Sequence, residues 1–337
     1  VTDDSPILVT GAAGFIGHAV SERLLARGER VLGLDNFTDY YDVALKKARI
    51  ARLTDNFNFR LIDGDIASPG LISELVEANG IRRIVHLAAQ AGVRYSLENP
   101  FAYEHSNLKG HLAVLEAARH AGNIDHLVYA SSSSVYGDRP LGGTGFREDE
   151  PCTAPVSLYA ATKRSCELMS ESYAKLYHLP LSGLRFFTVY GPWGRPDMAY
   201  YGFAQKILLG QPIEVFGEGR MARDFTYIDD IVDGVVGVLD RPPAGGQNRL
   251  LNIGDCNPVG LMDMIAVLER ALGRPAIKLM RPMQPGDVTA TYADISAINA
   301  LTGYSPKVPL ARGIERFVDW YLGEIENGGR GPMAAVA

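Results

Sequence analysis

Short apolar runs alternate with amphipathic stretches over the first half of the chain. Ile7-Leu8-Val9-Thr10 is a compact run of the kind that forms a buried parallel strand. Gly11-Ala12-Ala13-Gly14-Phe15-Ile16-Gly17 follows it. His18 to Arg27 then has helical spacing, with Val20, Leu24 and Leu25 on one side. Gly28 stands where the residue just past a helix end belongs. Arg30-Val31-Leu32-Gly33-Leu34 is a second strand-like run and ends at Asp35. Together these segments read as one βαβ unit.

The alternation continues. Strands are predicted at Asn58 to Ile62, Ile84 to Ala89, His126 to Ala130 and Leu181 to Phe186. Helices are predicted at Leu71 to Asn79, Asn107 to Ala121 and Tyr159 to Tyr177. Such alternation predicts an α/β fold: a Rossmann-type doubly wound parallel sheet with helices on both faces. No solenoid period is present. After Phe187, Pro192, Pro196 and Pro212 fall close together among several glycines, which predicts long connected loops. Asp263 to Leu272 and Ala311 to Glu326 regain helical spacing. Residues 1–186 are therefore expected to form a cofactor-binding domain, with later segments around 223–254 returning to it. Residues 187–326 are expected to form a smaller α/β substrate lobe across the carboxyl edge of the sheet. Residues 327–337 are Gly- and Ala-rich without an apolar period, which predicts a disordered tail.

Composition narrows the class. Of 337 residues, 47% are hydrophobic and 21% charged, which excludes disorder for the bulk of the chain. Lys and Arg number 33 and Asp and Glu 39, so the net charge is 33 − 39 = −6. That balance argues against a nucleic-acid partner but leaves room for an anion in a local pocket. The longest acidic block, Glu148-Asp149-Glu150, reads as a solvated loop. Cys152, Cys166 and Cys256 are far apart and form no CxxC, so free, buried thiols in a reducing compartment are expected. No HExxH or zinc spacing occurs among the histidines, and no metal site is expected. No apolar run reaches the ~18 residues of a membrane span. Val1 to Pro6 lacks the basic and apolar regions of a signal peptide. A cytoplasmic protein with no membrane partner is the resulting expectation.

Two segments carry candidate chemistry. In the glycine turn, Gly11 permits the tight bend, Gly14 lets the backbone approach a pyrophosphate, and Gly17 allows close packing of helix on strand. The helix beginning near Phe15 and Ile16 directs its free N–H groups and positive dipole end at the phosphates. Asp35, at the next strand end, suits the 2′- and 3′-hydroxyls of an adenosine ribose and would repel a 2′-phosphate, so NAD is expected. Asn36 adjoins it. Asp65 and Ile66 follow a strand at the same edge and suit the adenine, although an aspartate there also serves an ordinary turn. The second segment is Tyr159-Ala160-Ala161-Thr162-Lys163, which puts Tyr and Lys on one helix face. A nearby ammonium favours the phenolate, so such a tyrosine can act as acid and base at an alcohol. Ala130-Ser131-Ser132-Ser133-Ser134-Val135-Tyr136-Gly137 brings hydroxyls to the same edge.

These motifs, with Ala88-Ala89-Gln90 and Arg223-Asp224-Phe225-Thr226-Tyr227-Ile228-Asp229-Asp230, resemble the extended short-chain dehydrogenase/reductases of the nucleotide-sugar epimerase and dehydratase group. The resemblance runs from Gly11 to about Tyr321. It implies that Tyr159 is the acid/base and that Lys163 holds the nicotinamide ribose. It implies that Ser132 bonds the sugar O4 and that Ala88, Ala89 and Gln90 border the cofactor. Arg223 would meet the pyrophosphate of a UDP-sugar, Asp287 the uridine ribose and Phe216 the base. Read alone, Arg223 beside Asp224 is equally a surface ion pair.

The resemblance also bears on the reaction. In 4,6-dehydratases the two positions after Ser132 are Asp and Glu, and in UDP-glucuronate decarboxylases the second is typically Glu. Here they are Ser133 and Ser134, which supply no useful acid or base at neutral pH. They can donate hydrogen bonds to a carboxylate, or simply cap a turn. Leu34 to Tyr41, Gln90 to Ser96 and Arg185 to Met198 resemble UDP-glucuronate 4-epimerases, whereas UDP-glucose 4-epimerases usually carry Asn where Thr188 stands. The implied site places Thr188, Ser133 and Ser134 around the C6 carboxylate, with Arg195 at the nucleotide and Arg94 facing the sugar. NAD-dependent epimerisation at C4 of UDP-glucuronate is the expectation. UDP-glucose 4-epimerase is the alternative, ahead of a decarboxylase or a non-catalytic NAD-bound scaffold. The helices Asn107–Ala121 and Tyr159–Tyr177 resemble a four-helix dimer interface, which implies a homodimer.

Overall fold

The computed structural model describes residues 5–139 and 143–326, so the expectation for the 327–337 tail lies outside the described residues. The chain opens as predicted, with β1 (Ile7–Thr10), α1 (Phe15–Ala26) and β2 (Val31–Asp35). Helix α1 starts one turn before the predicted His18, because Gly14 is its N-cap. Arg27 caps its end, and Gly28 follows at φ +82°. Next come α2 (Val43–Thr54), β3 (Phe59–Asp63), α3 (Leu71–Ala78) and β4 (Arg83–His86). Helix α2 escaped the sequence reading because its buried face is Lys46, Arg49, Ile50 and Leu53. Two of those four residues are charged, so the apolar period is erased.

Strand β4 stops at His86 rather than Ala89. The backbone there leaves the sheet: Ala88 N–H donates to Thr10 Oγ1 at 3.2 Å and Gln90 N–H to Asn107 Oδ1 at 2.9 Å. Two short helices, α4 (Tyr95–Glu98) and α5 (Pro100–Tyr103), lead into a π-helical turn at Glu104–Lys109. Regular helix α6 therefore runs only from Gly110 to Ala121. Then follow β5 (His126–Ser132), a 3₁₀ turn at Ser133–Tyr136, α7 (Leu158–Tyr177) and β6 (Leu181–Phe186).

The second half is more regular than its prolines and glycines predict. It contains β7 (Thr188–Tyr190), α8 (Ala199–Leu208), β8 (Ile213–Val215), β9 (Ala222–Tyr227) and α9 (Ile228–Leu239). It continues with β10 (Asn248–Ile253), β11 (Pro258–Gly260), α10 (Leu261–Leu272), β12 (Lys278–Met280), α11 (Ser296–Thr302) and α12 (Leu310–Glu326). Glycines mark the junctions; Gly191 and Gly210, for example, both have positive φ.

The central sheet has seven strands in the order β10-β6-β5-β4-β1-β2-β3, and every pairing is parallel. This is the Rossmann-type doubly wound arrangement. Strand side chains alternate between two apolar layers. Ile7, Val9 and Val128 face α1 and α9 through Val20, Leu24, Ile231 and Val235. Leu8, Leu32 and Leu127 face α3 and α6 through Ile72, Val76, Val114 and Leu115. Each such aliphatic side chain contributes about 1.5–3 kcal/mol when fully buried. Two small sheets, β11-β9-β7 and β12-β8, build the region beyond the carboxyl edge.

Two local expectations change. Cys152 and Cys166 are buried, but Cys256 is exposed. It sits in a left-handed turn (φ +58°), held because the Asp255 and Cys256 N–H groups both donate to the Asp224 carboxylate. The acidic block is likewise tied down rather than solvated throughout. Glu148 accepts from Asn252 N–H at 2.7 Å and Glu150 from Arg147 N–H at 2.8 Å, leaving Asp149 exposed. Among the described residues, no helix is long and apolar enough to cross a membrane. No cluster of three or more His, Cys, Asp or Glu among them could hold a metal ion.

Candidate active site

A cleft opens where β1 and β4 part, at the point where the strand order reverses. Its floor is the glycine turn. Gly11 has φ +73°, donates to Leu34 O at 2.7 Å and accepts from Gly14 N–H at 2.9 Å. A Cβ on Gly17 would lie 2.0 Å from Gly11 O, so only glycine lets α1 approach so closely. Phe15, Ile16, Ile66, Ala88, Ala89 and Gln90 also line the cleft. Asp35 is buried at the end of β2, where its two oxygens accept Ala13 N–H at 3.0 Å and Phe37 N–H at 2.9 Å. Each oxygen keeps a lone pair for a ribose hydroxyl. Asn36 lines the cleft beside it. Asp65 does not: it accepts from Ala67 N–H, Asn36 Nδ2 and His105 Nε2, so it shapes its own turn and steadies Asn36. A glycine cradle at a helix N-terminus, a ribose acid and apolar walls together fit NAD.

Tyr159 and Lys163 enter the same cleft from the first two turns of α7. Ser157 caps that helix, its Oγ accepting from Ala160 N–H at 3.1 Å. Lys163 is buried and its Nζ donates to Ala130 O at 2.9 Å, which ties α7 to β5. The Tyr159 ring stands edge-on to Tyr103, with centroids 6.1 Å apart. Ser132 lines the cleft at the end of β5. Its Oγ accepts from Ser134 N–H at 3.1 Å, so Ser132 itself performs the capping that the serine run suggests. Its O–H remains free to donate to a ligand oxygen. Ser133 and Ser134, on the following turn, and Thr188, on β7, stand outside the lining of this cleft.

Four candidates from distant segments come together beyond it. Arg94 reaches Asp287 at 3.3 Å and lies 4.9 Å over the Phe216 ring. Arg223 faces the charges of Asp287 and Arg94, and burial pulls its guanidinium below the ordinary value. It is not paired with Asp224. It donates to Ala222 O and Val288 O at 2.9 and 2.8 Å, while Asp224 is fully buried under backbone N–H groups. Arg195 lines the cofactor cleft and grips Asp197 through Nε and Nη2 at 3.0 and 2.5 Å.

Several positioning residues carried no readable signal in the chain. Asn107, in the π turn, accepts Gln90 N–H and donates to Gln90 O and Thr162 Oγ1, locking the cofactor loop onto α7. His86 and His111 stack at 5.3 Å near Lys163. Burial, with Lys163 second, pushes His111 down to about 3, and burial likewise drives His86 well below its ordinary value. The pair is thus a neutral bed beneath the active face of α7. Glu167, one turn after Lys163, was within reach of helix periodicity, but its partner Arg185 lies on a separate element, β6.

The NAD dependent epimerase/dehydratase family model matches residues 7–254. A probable UDP-glucuronate 4-epimerase of Rhizobium meliloti (strain 1021) is 46% identical, over 93% of this chain and 96% of that protein. UDP-glucuronate 4-epimerase 2 of Arabidopsis thaliana is 46% identical, over 98% of this chain and 78% of that protein. The solved structure of UDP-glucuronic acid 4-epimerase from Bacillus cereus, in complex with UDP-glucuronic acid and NAD, has a TM-score of 0.87 to this fold. It is 38% identical, over 94% of this chain and 98% of that one. Sequence and fold agree over most of the length, and the chain belongs to the NAD-dependent epimerase/dehydratase family.

Proposed function

We propose that this protein is an NAD-dependent isomerase that interconverts UDP-glucuronate and UDP-galacturonate through a transient 4-keto sugar. The carrying observation is the pairing of Tyr159, Lys163 and Ser132 in a dinucleotide cleft with Ser133 and Ser134 at the next two positions. Relatives of that activity at 46% identity, and the Bacillus cereus complex with UDP-glucuronic acid and NAD, support the uronate over a neutral sugar.

NAD, held on the glycine turn and Asp35, supplies a reversible hydride acceptor at C4. Tyr159 takes the 4-OH proton as C4 is oxidised and returns it after the sugar has presented its other face. Lys163, steadied by Ala130 O, holds the nicotinamide ribose. Ser132 donates to O4. Phe216, Arg223 and Asp287 hold the uridine diphosphate as a pivot, with Arg94 at the sugar side and Arg195 at the nucleotide. Thr188, Ser133 and Ser134, which lie next to the cleft residues Ser132, Phe187 and Val189 rather than in the lining itself, would be the groups nearest the C6 carboxylate. A 4-keto-uronate is a β-keto acid, and hydrogen bonds that keep its carboxylate charged oppose loss of carbon dioxide. Neither serine can catalyse elimination.

The division into a cofactor domain (1–186, with 223–254 returning) and a substrate lobe (187–326) is part of this reading. It is supported by β10 at the edge of the main sheet. We place the protein in the cytoplasm, in keeping with three free thiols. A homodimer through α6 and α7 is supported by the exposed Leu112, Leu168 and Leu176 on those helices; sedimentation at the monomer mass would overturn it.

Proton NMR of UDP-glucuronate mixed with the purified protein tests the activity. UDP-galacturonate accumulating to an equilibrium mixture is the expected result. A UDP-pentose with carbon dioxide would make the enzyme a decarboxylase, and turnover of UDP-glucose alone would make it a UDP-glucose 4-epimerase.

A further inference from the structure

Arg49 is sealed in the fold, with 0% exposure, and packs against the glycine turn through Ala13 O. Among the described residues it has no carboxylate partner within ion-pair distance. Instead its five N–H groups make five hydrogen bonds. Nε and Nη2 donate to Trp193 O at 3.0 and 2.7 Å, and Nη2 also to Gly194 O at 3.0 Å. Nη1 donates to Ala13 O at 3.0 Å and to the Tyr41 hydroxyl at 2.7 Å.

These acceptors belong to three segments that meet nowhere in the sequence. Ala13 lies in the glycine turn, and its N–H is held by Asp35, so Asp35 and Arg49 grip both sides of one residue. Tyr41 ends the segment that follows Asp35. Trp193 has φ +62°, a left-handed conformation that a residue with a side chain rarely takes. That conformation lets Trp193 and Gly194 both present their carbonyls to the guanidinium. The next residue is Arg195, which enters the cleft and is held by Asp197, itself bonded to the Tyr40 hydroxyl at 3.0 Å. A planar fork with five donors is the side chain suited to such a junction; an ammonium has three donors and no plane.

We propose that Arg49 is a positioning residue that couples the cofactor seat to the substrate site. It ties the Trp193–Gly194 backbone, and so the point from which Arg195 reaches the cleft, to the turn beneath the cofactor diphosphate. This rests on the reading of the cleft as an NAD and UDP-sugar site. Coupling between two ligands is reciprocal, so weakening the junction lowers affinity for both.

The test uses NAD-loaded protein and two readouts: UDP affinity by calorimetry, and NAD retained after gel filtration. Arg49→Lys keeps the charge and loses the fork. The expected result is UDP affinity lower by about tenfold, together with faster loss of NAD. KM for UDP-glucuronate should rise more than kcat falls, a split that general destabilisation does not produce. A folded Arg49→Lys protein with wild-type UDP affinity and NAD retention overturns the proposal. If that variant does not fold, Tyr41→Phe decides, because it removes one acceptor and leaves the charge in place. A loss in UDP affinity of about threefold supports the coupling, and unchanged affinity and retention overturn it. Turnover of UDP-glucuronate by the wild-type protein is measured first. Its absence counts against the functional reading alone, since the coupling is read from UDP and NAD binding.

Discussion

Glu167 and Arg185 form a two-point ion pair in the core, one helical turn beyond Lys163. Arg185 Nε donates to Oε1 at 2.8 Å and Nη2 to Oε2 at 2.9 Å, and both side chains are 1% exposed. Oε1 also accepts from Ser131 Oγ at 2.6 Å, beside Ser132. Glu167 therefore sets α7, which carries Tyr159 and Lys163, against β6 through Arg185 and against β5, the strand that carries the serines, through Ser131. Glu167→Gln leaves the guanidinium without its counter-charge, and a loss of about 3 kcal/mol in denaturant unfolding is expected. Burial pushes the Glu167 carboxyl up, but the hydrogen bonds and charge of Arg185 outweigh it and hold the group below its ordinary 4.5. Stability from a depressed acid is complete above the unfolded value and disappears as pH falls through the folded one. Wild type should thus lose its advantage over Glu167→Gln below about pH 4.5. A difference that persists undiminished into strong acid would show that the pair is not its source.

Tyr159→Phe removes the proton carrier and leaves the cofactor cradle intact. Turnover should fall by about 10²–10⁴-fold, with NAD content per chain unchanged. Near-normal turnover by NMR would refute the acid/base role.

Asp35→Asn introduces an amide donor where two backbone N–H groups already point, those of Ala13 and Phe37. One donor must then face another, a penalty of about 1–3 kcal/mol. NAD affinity should fall by about tenfold and the preference over NADP should narrow, since the carboxylate no longer repels a 2′-phosphate. Calorimetry with both cofactors reads this directly, and equal affinities in wild type would remove Asp35 from the ribose site.

Asp255 follows β10, close to two other aspartates. Burial, then Asp224 and Asp230, push its carboxyl up to about 7, against an ordinary value of 3.8. Between those two values the unfolded chain ionises this group and the folded protein does not, so stability falls as pH rises and then levels off near neutrality. Asp255→Asn should match wild type near pH 4 and melt at a higher temperature at pH 8. Identical melting at both pH values would mean that Asp255 ionises without penalty.

The first βαβ unit was legible because each level agreed: an apolar run, glycines at a turn, an amphipathic helix and an acid at the next strand end. Tyr159 and Lys163 were legible because both sit on one helix, where spacing alone gives the shared face. Helix α2 was not, since Lys46 and Arg49 point inward where a pattern reading places apolar residues. In the second half the helices at Asp263 to Leu272 and Ala311 to Glu326 were legible, but the short strands were not, because its prolines and glycines sit between elements rather than in place of them. Asp65 suits either the adenine or a turn by sequence; in the fold its carboxylate accepts from Ala67 N–H, Asn36 and His105, and no local pattern announces the last two contacts.

Local pattern along the chain determined the fold class, the cofactor turn and the shared helix face of Tyr159 and Lys163, because each depends on residues within a few positions of one another. Only the tertiary structure decided what crosses between segments. It brought Arg94, Phe216, Arg223 and Asp287 to one place, and it showed Arg223 bonded to backbone carbonyls rather than to the Asp224 carboxylate. It also revealed Asn107, Arg185 and Arg49 as the residues that hold the site in register. Their partners lie between 8 and 145 positions away in the chain, all but Tyr41 of them at least 17. A hydrogen bond between such distant groups leaves no periodic trace in sequence, because the geometry that creates it exists only once the chain has folded.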